Sequence, residues 1–461
     1  MKYNIQEKFI VLLWFLLCAS INVYPVNIFE INSLLDLVNS SRILLPIFLG
    51  FILIIIFFLK FDFKKPKIYS LNFLNIFLLI FITQAIGSLL IERNSLEDFY
   101  LIIFSFITIL LFLLIENLEL HKIYKILLFI IIIYISVAIV FLFLIKFETF
   151  KLYFLSGSFY GVFHPDVSYL GQSSLRASGF SRLVAVISLF LIIFSEIIKN
   201  NFYKFFIYLI NTVLALIIWM FQSRGTILCY FSSILIITLI FNFRNGILYK
   251  LQTISLTILF PIIFSFLITS FFPFEAKTIA KIENNLENKN NKEITAENNI
   301  DEVIKNNKGT FRIINNFTST GRIGLWVNSI NFYDKTKIFG YGSQADRIIL
   351  SYVNEMYYAN ANPYGNNVSN GLIYSFLSGG YFSLILFFLL YVINLTYGLK
   401  LLKIILNKKI EPLIKFSSIL IFFFSLRSIF ENSYAVFGVD FLLMFIGISI
   451  LKNFFSRKQK I

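Results

Sequence analysis

Long apolar stretches without a charged residue are the feature that most constrains this chain. Residues 126–145, for example, contain no Asp, Glu, Lys or Arg. About 18 or more apolar residues are enough to cross a bilayer, and backbone amides inside a bilayer must be satisfied within a helix. The sequence therefore predicts an all-α polytopic membrane protein. It excludes a soluble globular enzyme, a disordered chain and a disulfide-rich secreted module.

About twelve such stretches are predicted to be transmembrane helices. They are residues 9–24, 43–59, 68–91, 99–115, 126–145, 183–198, 203–221, 226–242, 251–272, 371–399, 412–430 and 434–451. The composition agrees, since 58% of the residues are hydrophobic and only 14% are charged, against about 25% charged in a soluble domain. The seventh and eighth stretches are separated only by a short polar turn at Gln222 to Gly225.

The distribution of basic residues predicts the orientation of these helices. Lysine is concentrated in alternate short loops, such as 60–67 and 400–409. Basic residues collect on the cytoplasmic side of membrane proteins, so both termini are predicted to be cytoplasmic. The net charge of +15 is therefore attributed to topology, and no nucleic-acid partner is predicted.

The predicted organisation has three parts. Residues 1–272 carry the first nine helices, with an outer loop near 146–182. Residues 273–308 are a low-complexity stretch of Asn, Lys and Glu, whereas 309–370 contain Gly, Trp, Tyr and Arg and are expected to fold against the membrane domain. Together these two segments form one large outer loop. Residues 371–461 carry the last three helices and a cytoplasmic tail.

Arginine recurs on the predicted outer side, where a phosphate ligand is a natural partner. The outer arginines are Arg176, Arg182, Arg224, Arg312, Arg322, Arg347 and Arg427. A guanidinium binds phosphate through two parallel hydrogen bonds, so several of them suit a lipid-linked pyrophosphate. The alternative for each is headgroup contact or anchoring of a helix end. Arg224 and Arg427 are flanked by apolar sequence, and a charge at membrane depth favours a functional role.

Other titratable residues give weaker indications. Arg427 and Glu431 are four apart, so a helix would place them on one face as an ion pair, either orienting the arginine or only fixing helix packing. His164 is a candidate general base, although a loop histidine is often simply exposed. Asp166 and Asp346 are further outer carboxylates. Cys18 and Cys229 form no CxxC pair, and we predict no metal and no cofactor.

Six short motifs occur in order along the outer segments. They are Arg176-Ala177-Ser178-Gly179-Phe180-Ser181, Ser223-Arg224-Gly225-Thr226, Thr320-Gly321-Arg322-Ile323-Gly324-Leu325-Trp326, Phe339-Gly340-Tyr341-Gly342, Ser369-Asn370-Gly371 continuing to Gly379-Gly380, and Arg427-Ser428-Ile429-Phe430-Glu431-Asn432. Together they resemble the motifs of the O-antigen polymerase and O-antigen ligase superfamily. The resemblance covers roughly residues 150–450, and the first five stretches agree only in hydropathy.

The resemblance implies a metal-independent glycosyltransferase of the bacterial inner membrane. Such enzymes act at the periplasmic face on an undecaprenyl-diphosphate-linked glycan, and a chain-length regulator protein is a further expected partner besides membrane lipids. Arg176, Arg224 and Arg322 would hold the pyrophosphate, with Glu431 and His164 as the other catalytic candidates. The candidate substrate-binding residues are Arg427, Arg347, Trp326, Tyr341, Ser369 and Asn370.

One departure from the family favours a polymerase over a ligase. Ligases carry a histidine in the large outer loop, whereas this loop contains none and Ser369 stands about where it would be. The base for the acceptor hydroxyl stays open among His164, Asp346 and Glu431. A ligase or protein O-oligosaccharyltransferase is the first alternative. A glycan-lipid flippase is the second, although the chain shows no internal repeat.

Overall fold

The computed structural model describes the helical part of the chain and the turns beside it. The described residues are 9–13, 41, 44–52, 54–55, 73–91, 96–116, 118–144, 177–220, 223–241, 247–264, 322–343, 345–346, 349, 368–407, 410–432 and 439–458. Within these ranges the secondary structure is helical, with no strand. The predicted all-α class is therefore confirmed.

The helices follow the apolar stretches closely. In chain order they are α1 (Phe73–Leu90), α2 (Leu96–Glu116), α3 (Leu120–Leu144), α4 (Ala177–Phe194), α5 (Asn201–Met220), α6 (Arg224–Ile236), α7 (Ile247–Ile254), α8 (Arg322–Asn331), α9 (Gly371–Asn407), α10 (Pro412–Arg427) and α11 (Val439–Lys458). The π-helical turns Ile237–Phe241 and Ser255–Leu259 continue α6 and α7. The seventh and eighth predicted helices are separate helices in the structure, because α5 ends at Met220 and α6 begins at Arg224.

Among the described residues, length and composition identify two helical stretches that could cross a membrane: Asn201–Trp219 and Gly371–Leu401. The full set of twelve spans stays a prediction. The predicted stretch 9–24 lies largely outside the described residues, as does most of the long segment between α7 and α8. Of the predicted stretch 43–59, residues 44–52 and 54–55 are described and are helical.

The chain divides into two compact units. The first comprises Met1–Ile135, Cys229–Asn245 and Gly321–Ile461, and the second comprises Ser136–Leu228 and Gly246–Thr320. In the second unit α4 packs on α5, and the buried Ser188 hydroxyl donates a hydrogen bond of 3.0 Å to the Asn211 side-chain oxygen.

An aromatic cluster forms part of the core of the first unit. Phe77 of α1 stacks on Phe441 of α11 with ring centroids 3.6 Å apart, and Phe112 of α2 stacks on Phe445 at the same distance. These four rings are buried, and α11 is buried throughout residues 440–451. Aromatic rings bury a large apolar area each, so this cluster fixes α11 between α1 and α2.

Helix α9 reverses direction at Gly380, and this corrects the prediction of one continuous helix over 371–399. Gly380 has φ 68° and ψ −159°. The Ser375 hydroxyl donates to the Ser383 carbonyl at 3.0 Å, whereas residues eight apart in a straight helix are separated by about 12 Å along the axis. A Cβ on Gly371 would also lie 3.0 Å from the Phe387 ring.

The two parts of α9 are therefore an antiparallel hairpin. Residues 371–379 form a short helix, and residues 381–407 form a long one. We refer to them as the short arm and the long arm. The long arm is itself long enough to cross a bilayer, because its apolar residues 381–401 extend about 31 Å at 1.5 Å per residue.

Candidate functional site

The turn at Gly340-Tyr341-Gly342 closes on the reversal of α9. The Tyr341 amide donates to the Leu377 carbonyl and the Gly342 amide donates to the Ser378 carbonyl, each at 2.9 Å. These two carbonyls end the short arm, and the reversal removes the amides that would bond to them in a continuous helix. The turn therefore caps the short arm with backbone groups from elsewhere in the chain.

Glycine is required at this junction because three backbones approach one another. Gly340 and Gly342 have φ values of 72° and 85°, in the left-handed region. A Cβ on Gly340 would lie 2.6 Å from the Gly380 nitrogen, and a Cβ on Gly87 of α1 would lie 2.9 Å from the Gly342 nitrogen. Two glycines on either side of one residue predict a turn that lets backbones approach closely, and the structure confirms this prediction.

The side chain of Tyr341 helps to fold this turn. Its ring meets the Tyr333 ring edge-on at 5.6 Å, and its hydroxyl oxygen accepts the Asp334 amide at 3.1 Å. The Tyr333 hydroxyl donates to the Lys337 carbonyl, and burial raises the Tyr333 pKa to about 12. The exposed Asp334 carboxyl has a lowered pKa, because the Thr336 amide and hydroxyl donate to it. The predicted substrate contact of Tyr341 stays a prediction.

Helix α8 is anchored to the residues that precede α9. The Trp326 indole nitrogen donates to the Val368 carbonyl at 2.7 Å, and the Trp326 side chain is half-buried. Arg322 is the first residue of α8, one turn before Trp326. This contact joins the Gly-Arg-x-x-x-Trp motif to the residue just before the Ser-Asn-Gly motif.

Asn370 fixes the start of α9 against the end of α10. Its side-chain oxygen accepts the amides of Leu372 and Ile373 at 3.0 and 3.1 Å, so Asn370 is the N-cap of the short arm. Its side-chain nitrogen donates to the Ile429 carbonyl at 3.1 Å. Every polar atom of the side chain is thus used, and the predicted substrate-binding residue has a structural role in this arrangement.

Asp346 is the centre of a polar cluster around that N-cap. One of its carboxylate oxygens accepts the Val368 amide and the Asn432 side-chain nitrogen, each at 3.2 Å. The Asn432 side-chain oxygen accepts the Asn370 amide at 2.8 Å. Asp346 is only 2% exposed. We call Asp346, Val368, Asn370 and Asn432 the Asp346 cluster.

Ser369 lies inside this cluster in an unusual conformation. Its φ of 49° is in the left-handed region, which non-glycine residues rarely adopt. A backbone strained in this way persists only where surrounding contacts hold it in place, and strained residues are concentrated at functional sites. Here the hydrogen bonds of Val368 and Asn370 hold the residues on either side of Ser369.

Arg427 forms a buried ion pair with Asp440. The guanidinium donates to the Asp440 carboxylate at 2.6 Å, and the two residues are 3% and 4% exposed. The predicted partner was Glu431, which is half-buried in the turn after α10 and donates its amide to the Arg427 carbonyl at 2.9 Å. Asp440 was not singled out from the sequence. Asp440 is a charged residue within an apolar stretch, and this is the sequence feature that identified Arg427.

The end of α10 lies about halfway along the long arm of α9. The Tyr391 hydroxyl is hydrogen-bonded to the Ser428 hydroxyl, and the Asn394 side chain donates to the Ser425 hydroxyl at 3.1 Å. Tyr391 is eleven residues beyond Gly380, or about 16 Å along a helix. The ion pair at the end of α10 therefore lies at mid-length of a helix that is long enough to cross a membrane.

The two remaining motifs lie in the second unit. The Ser223 hydroxyl donates to the Thr226 hydroxyl at 3.0 Å, and the Ser223 carbonyl accepts the Ile227 amide at 2.9 Å, so this motif starts α6. Arg224 is the first residue of that helix, and its side chain lies outside the described part, as does that of Arg322. Arg176, which precedes α4, and His164 and Arg347 are outside the described residues.

Comparisons with known proteins give no further identification. No protein-family model matches the chain, no curated protein matches it, and no solved structure matches it. The function is therefore inferred from the site and from the sequence motifs.

Asn370→Ala is expected to destabilise the first unit. The variant loses the N-cap of the short arm, worth about 1–2 kcal/mol, and leaves the Ile429 carbonyl without its donor. The measurement is the midpoint of thermal unfolding in detergent. Asn331→Ala, at an exposed position in the last turn of α8, is the matched control and is expected to change little. Equal midpoints for the two variants would contradict the assigned N-cap.

Proposed function

We propose that this protein is a polymerase of undecaprenyl-diphosphate-linked oligosaccharide repeat units. One observation carries the proposal: four of the six motifs, distant in sequence, meet in the first unit. Trp326 contacts Val368, Tyr341 contacts Leu377, and Asn370 contacts Ile429. Motifs that belong to one site are expected to meet in this way, whereas chance matches have no reason to do so.

In this proposal the protein resides in the bacterial inner membrane with about twelve spans and both termini in the cytoplasm. The segment from Gly309 to Asn370 faces the periplasm. The product is O-antigen or a related surface polysaccharide. The observation that supports a membrane location is the presence of two helical stretches that are long and apolar enough to cross a membrane.

The reaction transfers a growing glycan from its lipid carrier to a sugar hydroxyl. The acceptor oxygen forms a bond to the anomeric carbon, the bond from that carbon to the phosphate oxygen breaks, and undecaprenyl diphosphate leaves with the bonding electrons. Arginines that hold the diphosphate stabilise the negative charge that develops on it. The acceptor proton passes to a carboxylate or histidine, with Asp346, Glu431 and His164 as the candidates.

The buried ion pair bears on one of the arginines. Because Asp440 already neutralises Arg427, and because Arg427 is only 3% exposed, its charge serves the packing of α10 against α11. The proposal therefore leaves Arg427 out of substrate binding and keeps Arg176, Arg224 and Arg322 for the diphosphate, as the sequence motifs imply. Arg427 in turn positions the Ser428–Asn432 turn, which holds the Asp346 cluster.

A glycan-lipid flippase is a second candidate that one observation favours. Transporters place ionisable residues at mid-membrane depth, and the Arg427–Asp440 pair lies at mid-length of the long arm. A ligase or protein O-oligosaccharyltransferase remains the alternative within the superfamily. These candidates differ in which glycan accumulates when the protein is absent.

Arg322→Ala is expected to abolish polymer formation. The test is a gel profile of surface glycan from cells that lack the gene and carry wild type, Arg322→Ala or Lys335→Ala. Lys335 is exposed in the turn after α8, so Lys335→Ala removes one positive charge from the same segment and serves as the matched control. Wild type and the control should restore a ladder of repeats, whereas Arg322→Ala should leave a core with one repeat unit.

Other profiles would overturn the proposal. Long polymer that stays on its lipid carrier, with none attached to the core, would identify a ligase. Single repeat units retained on the cytoplasmic side would identify a flippase. A ladder restored by Arg322→Ala at equal protein level would remove Arg322 from the mechanism.

A further inference from the structure

Helix α8 exposes an apolar stripe along one side. Ile323, Val327 and Ile330 are 54%, 49% and 45% exposed, and their spacing places them on one face of the helix. Ser329, on another face, is fully buried. Three adjacent large apolar side chains facing water are unfavourable, so this face requires an apolar neighbour.

Helix α8 lies alongside the short arm of α9. At the middle of α8, Trp326 is bonded to Val368, three residues before the short arm begins. Just after the end of α8, the Tyr333 ring packs on Phe376 with centroids 4.2 Å apart and meets Tyr381 at the reversal. The second half of α8 therefore covers the same range of depth as the short arm.

The long arm of α9 has an exposed apolar face of its own. Its exposed residues recur at helical spacing: Phe382, Ile385, Phe388, Val392, Leu395 and Leu399. The Phe339 ring stacks on Phe382 at 5.5 Å, and the neighbouring Ile338 is 53% exposed. The chain that follows α8 thus packs on the apolar face of a membrane-length helix.

Polar residues border this surface at the level of the reversal. Lys335 and the carboxylate of Asp334 are exposed in the turn after α8, only a few residues before Gly340, which contacts Gly380. A lysine at the end of an apolar helix keeps its ammonium among lipid headgroups or water while apolar neighbours face the acyl chains. Along the chain, the apolar stripe comes first and the charged turn follows. This is the order expected for a helix that runs from the acyl chains of one leaflet towards its headgroups.

We propose that α8 is embedded in the leaflet on the side of the Gly380 reversal, with the Ile323–Val327–Ile330 stripe against lipid acyl chains. The sequence prediction placed residues 309–370 in the large outer loop, folded against the membrane domain, and the proposal adds that α8 enters the leaflet. The occupant of the surface is bilayer lipid, because the stripe lies beside the short arm, at the depth of the exposed apolar face of a membrane-length helix. The inference does not depend on the reaction that the protein performs.

The test is nitroxide accessibility in proteoliposomes of phosphatidylethanolamine and phosphatidylglycerol. Cys18 and Cys229 are replaced by alanine, and a spin label is attached to a single cysteine at Val327 or, as the matched control, at Lys335. Collision with oxygen reports acyl chains, and collision with a nickel chelate reports water. We expect the oxygen-to-nickel ratio to be several times higher for Val327→Cys than for Lys335→Cys.

Labels at Ile323 and Ile330 should reproduce the high ratio of Val327. A ratio at Val327 as low as that at Lys335 would place α8 in water and overturn the proposal. A label at Val327 that neither reagent reaches would show the stripe covered by protein, which also overturns it. Each labelled variant is first checked for a monodisperse gel-filtration peak, and a variant that fails is replaced by the label at the adjacent stripe position.

Discussion

Replacing Gly380 with alanine is expected to destabilise the first unit by about 3 kcal/mol or more. With φ 68° and ψ −159°, Gly380 occupies a region that is essentially restricted to glycine, where a side chain costs of order 1–3 kcal/mol. An added Cβ would also overlap the Ile338 carbonyl and lie 2.9 Å from the Gly340 nitrogen. These are backbone atoms, so a rotamer change gives no relief.

Gly398→Ala is the matched control because it makes the same substitution in the long arm of the same helix. A Cβ at Gly398 would meet no atom within 4 Å, and alanine is the better helix former by about 1 kcal/mol. We expect Gly398→Ala to leave the thermal midpoint in detergent unchanged or slightly raised, and Gly380→Ala to lower it sharply. A folded Gly380→Ala variant with the wild-type midpoint would contradict the reversal of α9.

Removing the carboxylate of Asp440 is expected to be similarly costly. Breaking a buried ion pair by deleting one partner costs about 3–5 kcal/mol, because the remaining charge is left without compensation. Asp440→Ala would leave the Arg427 guanidinium in a site where it is 3% exposed. We expect the variant to show a large fall in thermal midpoint or to fail to accumulate in the membrane.

The double variant Arg427→Met with Asp440→Leu distinguishes the ion pair from simple packing. Replacement of both charges by apolar residues of similar size is often neutral, so the double variant should recover most of the stability that Asp440→Ala loses. A double variant as unstable as Asp440→Ala would show that Arg427 is held by other contacts. Wild-type stability of Asp440→Ala itself would contradict the pair altogether.

Part of the candidate site could be predicted from the sequence, because the motifs that mark it span only a few neighbouring residues. The glycines of Gly340-Tyr341-Gly342 indicated a close backbone approach, which the structure shows at Gly380 and Gly87. Trp326 and Asn370 were identified through their motifs. The structure adds structural contacts for both, since Trp326 anchors α8 to Val368 and Asn370 caps α9, and their predicted substrate contacts stay predictions.

The partners within the site could not be predicted, because they are distant in sequence. Asp346 and Asn432 are 86 residues apart, and Asn370 and Asn432 are 62 apart. Arg427 and Asp440 are 13 apart and lie on different helices. The spacing rule that suggested Glu431 as a partner of Arg427 considers only neighbours within one helix, whereas Asp440 lies on the next helix and reaches Arg427 through tertiary packing.

The sequence by itself determined the helical class and the approximate positions of the apolar helices, because apolar runs and polar breaks act within a few residues along the chain. Tertiary structure alone decided that the apolar run from Gly371 to Leu401 is two antiparallel arms. Hydropathy carries no information about the sign of φ, and a Gly-Gly pair can also occur inside a continuous helix. The turn from Ile338 to Gly342 selects the reversal, because its amides satisfy the carbonyls that the reversal leaves open.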